Sequence, residues 1–222
     1  MTKQNPTTFF LSFIAGFVDT AGFIALSGIF TAHITGNLVL AGSSIALYHK
    51  YDDVLSRLIL IPVFIVGVIL TSSVLKRLQY DDKKKLRFLF TLQAFLLLLF
   101  SFSGAALFSH WITVHAVTGI IIQASLAVLA MAIQNTYVKL LLPNFMPTTV
   151  MTGNITNFSI EIEKFLSAFS IRKSIKLTAT GYAVLGFLLG CVGGAFGVVE
   201  VGLLCILFPV LILILLAFTK RQ

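Results

Sequence analysis

The sequence predicts an all-α polytopic membrane protein made of two related halves, and three observations predict it. The chain has 222 residues, 58% hydrophobic and only 11% charged, with a mean hydropathy of +1.00. Ordinary globular chains carry about 25% charged residues, and a domain this small cannot hide so much apolar surface from water. The apolar residues form long continuous runs without period-two alternation, which selects helices over a transmembrane β-barrel. Finally, a Thr-Gly-Asn triplet occurs twice, in HITGN at 33–37 and VMTGN at 150–154, about half a chain apart.

The runs are taken in order. The first, 7–29, is long enough to span and carries Asp19 in its interior. It is too long for a signal-peptide core and lacks a clear cleavage site, so it is read as mature structure. The second, 35–48, is short and begins at the first triplet. The third and fourth, 58–75 and 88–108, are separated by KRLQYDDKKKLR. The fifth, 116–142, carries the polar pair Gln134 and Asn135. The sixth, 150–165, begins at the second triplet and holds Glu161, Glu163 and Lys164. The seventh and eighth, 177–198 and 201–218, complete the chain. Runs two and six are too short or too polar to span well alone.

Charge placement decides the topology. Cytoplasmic loops carry an excess of Lys and Arg. If all eight runs crossed, the cations would divide almost evenly between the two sides. If runs two and six instead enter and leave on one side, 14 of the 16 Lys and Arg fall inside, leaving only Lys50 and Arg57 outside. The expectation is six full crossings plus two short or re-entrant helices, with both termini cytoplasmic. The net charge of +8 is thereby explained without nucleic acid.

The halves align residue by residue. AGFVDTAGF precedes HITGNLVLAGSSI, and AMAIQNTYV precedes VMTGNITNFSIEI. Ala15 aligns with Ala130 and Asp19 with Gln134; after a two-residue insertion, Thr35, Gly36 and Asn37 align with Thr152, Gly153 and Asn154. The organisation is one transmembrane domain over 1–222, with repeat one at about 1–108 and repeat two at about 116–222. Three crossings per half is odd, so the repeats are inverted, a device of transporters and channels with a site near the midplane.

The stretches AGFVDTAGF, TAHITGN, IQNTYV and TTVMTGN, in that order, resemble the YoaK family of uncharacterised bacterial inner-membrane proteins. The resemblance covers nearly the whole chain. It implies a multi-spanning protein of the bacterial cytoplasmic membrane and supplies neither substrate nor mechanism. KLLLPNF after IQNTYV departs from the family's pattern, which favours more arginine there and a glycine before the Gln-Asn pair.

The expected polar lining is Asp19, His33, Thr35, Gly36, Asn37, Gln134, Asn135, Thr152, Gly153 and Asn154. A carboxylate inside a span is costly and faces a partner, a cavity or a proton path. Thr and Asn suit a helix N-terminus, and Gly permits close approach. Two half-helix N-termini pointing inward from opposite faces can meet a solute or ion. The competing reading is that these groups only bond helices together. Gln93, Gln123 and the Cys191 and Cys205 thiols read as packing residues. Trp111 and Tyr80 read as interfacial anchors. Gly186, Gly190 and Gly194, four apart, read as a close helix contact, either between the halves or in a homo-oligomer. The sequence carries no HExxH, GxSxG or P-loop pattern, so no enzyme, metal or cofactor is expected. The expected function is passage of an unidentified small solute or ion, with a non-transporting scaffold or accessory subunit as the alternative.

Overall fold

A computed structural model describes residues 4–47, 51–108, 116–167 and 175–219. Trp111, the SHWITVH segment, and Lys3, Lys50, Arg172, Lys173, Lys220 and Arg221 lie outside the described residues. Every regular element among the described residues is helical: α1 (Gln4–Ala25), α2 (Ile34–Ala46), α3 (Tyr51–Arg77), α4 (Asp82–Phe108), α5 (Ala116–Leu141), α6 (Met151–Ser167), α7 (Ile175–Val201) and α8 (Leu207–Phe218). A five-residue 3-10 helix, Gly202–Ile206, joins α7 to α8. Five stretches are long and apolar enough to cross a membrane: Pro6–Ala25, Val54–Arg77, Asp82–Gly104, Val117–Leu141 and Lys176–Phe218. The chain is a multi-pass membrane protein.

The last stretch is not one rod. Gly202 has φ +60, a left-handed conformation that glycine adopts without steric cost. The chain reverses there. Phe208 packs its ring on Phe13 and Phe17 of α1, while Gly190 and Gly194 of α7 also lie on Phe13 and Phe17. In a straight helix, residues 190 and 208 would stand about 27 Å apart and could not share Phe13. On α4, Ser101 donates to the Leu203 carbonyl at 2.9 Å and Arg87 lies over the Phe218 ring at 4.2 Å. So α8 runs antiparallel to α4. Glu200, two residues before Gly202, is the one charged residue of the sequence between Lys176 and Lys220. The turn depends on one glycine.

Packing direction follows from similar pairs. Phe90 and Gln93 of α4 meet Tyr137 and Gln134 of α5, so these helices are antiparallel. Gly186, Gly190 and Gly194 of α7 meet the backbone at Phe9, Phe13 and Phe17 of α1, so these two are parallel. A Cβ on any of the three glycines would overlap the carbonyl oxygen it faces, as would one on Gly16 of α1 against Phe187. Small residues here let two backbones touch. The glycine stripe therefore joins α7 to α1 within the chain.

The helices pair in a regular way: α1 on α7 and α5 on α3, α2 on α3 and α6 on α7, α1 on α8 and α5 on α4. Helices α1 and α5 are the most buried of the spans. One end of the bundle collects the start of α4, the ends of α3, α5 and α8, and the beginnings of α1 and α7. That end carries Lys76, Arg77, Lys83, Lys84, Lys85, Arg87, Lys139 and Lys176. Arg57 lies at the other end, against Ser27 and Gly28 after α1.

Candidate functional site

Each short helix is reached through a non-helical lead-in, 26–33 before α2 and 142–150 before α6. Buried backbone that leaves a helix must find other hydrogen-bond partners. The polar residues of both halves meet that demand.

In the first lead-in, α1 ends with Gly28 N–H donating to Phe23 O at 2.8 Å. Ser27 and Gly28 take φ 55 and 80 there, a left-handed helix ending. Arg57 of α3 donates to the carbonyls of Gly28 and Ser27. Asp19, only 4% exposed, then gathers the next stretch. One carboxylate oxygen accepts from the backbone N–H of Thr31 at 2.8 Å, Ala32 at 2.6 Å and His33 at 3.3 Å. It also accepts from the Thr31 hydroxyl at 3.3 Å. The other oxygen meets Nδ1 of His33 at 2.6 Å. That hydrogen bond raises the pKa of His33, which lies between the spans; partial burial opposes the rise. Asn37, fully buried in the first turn of α2, clamps Phe30 from both sides: its Oδ1 accepts from Phe30 N–H at 2.9 Å and its Nδ2 donates to Phe30 O at 2.8 Å.

The second lead-in is built from neutral groups. Gln134 is completely buried. It donates to the Thr148 hydroxyl at 3.0 Å and to Leu11 O of α1 at 2.8 Å, and accepts from Gln93 of α4 at 2.8 Å. Tyr137 donates to the other end of Gln93 at 2.8 Å. Asn135 accepts from the Thr149 hydroxyl at 2.5 Å and donates to Met131 O. Asn154 donates to Pro147 O at 2.6 Å, the counterpart of the Asn37–Phe30 clamp. Pro147 has no N–H to return.

These contacts place the expected residues. Both triplets sit in the first turn of their helices, as the half-helix expectation has it. Within each, only the asparagine turns inward; Thr35 and Thr152 are exposed. Asp19, His33 and Asn37 form one cluster, and Gln134, Asn135 and Asn154 form another. Because Gln134 reaches α1 at Leu11, eight residues before Asp19, the clusters stand about 12 Å apart along that helix. They do not merge into one chamber. Sequence reasoning did not single out Thr31, Thr148, Thr149 and Phe30 as partners, although the aligned threonines of TAHITGN and TTVMTGN were visible.

One cavity adjoins the second cluster. It holds about 350 Å³ and is lined by Asn135, Val138, Lys139, Pro143, Phe145, Pro147, Thr148 and Val150. Among the described residues, no three His, Cys, Asp or Glu come together as metal ligands would.

The chain is similar to the UPF0700 transmembrane protein YoaK of Bacillus subtilis (strain 168). The two are 29% identical over 191 residues, covering 86% of this chain and 80% of that protein. No solved structure matches the chain. Residues 7–219 match the family described as Protein of unknown function (DUF1275), and the chain belongs to that family.

Proposed function

We propose that this protein is a bacterial inner-membrane transporter or channel for a small solute or ion, built as an inverted repeat of three crossings and one non-spanning helix per half. The observation that carries the reading is the pairing of the helices. Exchanging α1 with α5, α2 with α6, α3 with α7 and α4 with α8 carries the principal contacts among the described helices onto one another. The two asparagine clamps, Asn37 on Phe30 and Asn154 on Pro147, follow the same exchange. The cationic end of the bundle is the cytoplasmic face by the positive-inside rule, which supports six crossings with both termini inside. Inverted halves with interrupted helices are how many transporters hold a solute between two faces.

A second reading, a membrane scaffold or accessory subunit, is favoured by how fully Asp19, Asn37, Gln134 and Asn154 are engaged within the protein. Proteoliposome flux separates the two. Transport predicts flux above protein-free vesicles, impaired by Asp19→Asn and Asn37→Ala in protein that still elutes as a folded species. A folded protein without flux across a broad solute panel rejects transport and leaves the scaffold. Reporter fusions after residues 52, 80, 112, 145 and 170 test the topology, with expected locations out, in, out, in, in.

A further inference from the structure

We infer that the cavity beside the α5–α6 lead-in binds a small anion. Its volume of about 350 Å³ lies at the low end for ligand pockets, which suits a solute of a few heavy atoms. Its polar lining is biased toward donors. Lys139 brings an ammonium group, and Thr148 accepts from Gln134 and so keeps its own hydroxyl proton to give. The carbonyl oxygen of the Asn135 side chain is already taken by Thr149. No Asp or Glu is among the lining residues. A second cavity, also about 350 Å³, shares Asn135 and Lys139 and extends to Phe64, Val68 and Ser72 of α3, so Lys139 borders both.

The first half makes the contrast. Phe23 and Phe30 stand where the second half has Val138 and Pro147, and their rings pack at 4.6 Å between centroids. A Cβ on Gly36 would overlap the Phe30 ring, whereas one on Gly153 would meet only Val150, at 3.8 Å. Ile24 holds the position of Lys139. The same place in the fold is plugged by aromatic rings in one half and open beside Lys139 in the other. Such a site gives the proposed transport its solute class; it depends on that reading for its role, though not for its existence.

The test uses the full-length protein in detergent, titrated with acetate and then inorganic phosphate at constant ionic strength against a large buffer anion. Binding is read by calorimetry and by the thermal midpoint. The expected result is saturable binding of at least one probe, weakened at least tenfold by Lys139→Gln and unchanged by Lys176→Gln, a cation outside the cavity. Pro147→Phe copies Phe30 into the second half: its ring fills the cavity, and its new N–H meets Asn154 as Phe30 meets Asn37. That variant should fold and lose binding. Non-saturable responses, no response to either probe, or equal binding in Lys139→Gln and Pro147→Phe would overturn the site. Saturable binding without acetate or phosphate flux in proteoliposomes would leave the site standing and overturn its role in setting the transported solute class. Flux that survives Pro147→Phe would overturn the site's role in transport and leave transport standing.

Discussion

The two lead-ins solve one problem with different chemistry. Each must satisfy a short piece of non-helical backbone between two helices. The 26–33 segment is gathered by a charged group, the Asp19 carboxylate, which binds three successive N–H groups and the His33 ring. The 142–150 segment is held by amides and hydroxyls and carries Pro147, which has no N–H to satisfy. A carboxylate is the stronger acceptor, and hydrogen bonds to a charged group are about twice as strong as neutral ones. So the first lead-in is tight, plugged by aromatic rings and dependent on one residue. The second is a distributed network with room beside it. Both lead-ins share the asparagine clamp and differ in what the long helix offers to it.

The largest effect should come from removing the charged hub. Asp19→Leu strands the N–H groups of Thr31, Ala32 and His33 together with the imidazole. Buried groups left without partners cost about 1–3 kcal/mol each. The expected outcome is loss of most monodisperse protein on size-exclusion chromatography after detergent extraction. Gln134→Leu should be milder, about 1–3 kcal/mol, because Gln93 keeps Tyr137 as a partner. Asp19→Asn sharpens the comparison. It retains an oxygen for the three N–H groups and loses the charge and the oxygen that meets His33, so its thermal midpoint should fall between wild type and Asp19→Leu. Equal damage from Asp19→Asn and Asp19→Leu would mean that charge, rather than acceptor capacity, holds the segment.

Next come the clamps. Asn37 makes two bonds to Phe30, and Asn154 makes one to Pro147 beside a long contact with the Met151 sulfur. At about 1 kcal/mol for each net hydrogen bond, Asn37→Ala should cost about twice what Asn154→Ala costs, measured as midpoints of heated samples passed through size-exclusion chromatography. The order reverses if the triplets are held mainly by helix packing rather than by their asparagines.

The spans were legible because lipid-facing helices need continuous apolar residues, and nothing else explains such a composition in a chain of this size. The starts of α2 and α6 were legible from the position of the triplets, although the N-cap of α2 is His33, whose side chain makes no cap bond. The partners were not. Asn37 binds the backbone of Phe30, and a backbone bond leaves no mark on the residue that makes it. Arg57 reads as an exterior loop cation, yet it caps the carbonyls after α1 from 29 residues away. Gln134 looked like a site residue because it aligns with Asp19, but what it touches depends on α4 arriving from the other half, bringing Gln93. Alignment revealed which positions correspond; it carried no information about which of them would stay accessible.

The smallest expected effect follows pH and again separates the halves, because His33 corresponds to Val150. The hydrogen bond from His33 to Asp19 raises the His33 pKa above its ordinary value near 6.5. A histidine that holds its proton more tightly when folded stabilises the fold fully below its unfolded pKa. That contribution disappears as pH rises through the folded value. The wild-type thermal midpoint should therefore decline as pH is raised from about 6.5, with the proton leaving the imidazole and the first lead-in loosening. The slope should be shallow, because 34% of the imidazole is exposed and solvent screens the pair. His33→Val, which copies the second half's residue into the first, should remove the decline and lower the midpoint at acidic pH only. A midpoint in His33→Val that still fell over the same interval would place the titrating group elsewhere and detach the charged lead-in from any response to protons.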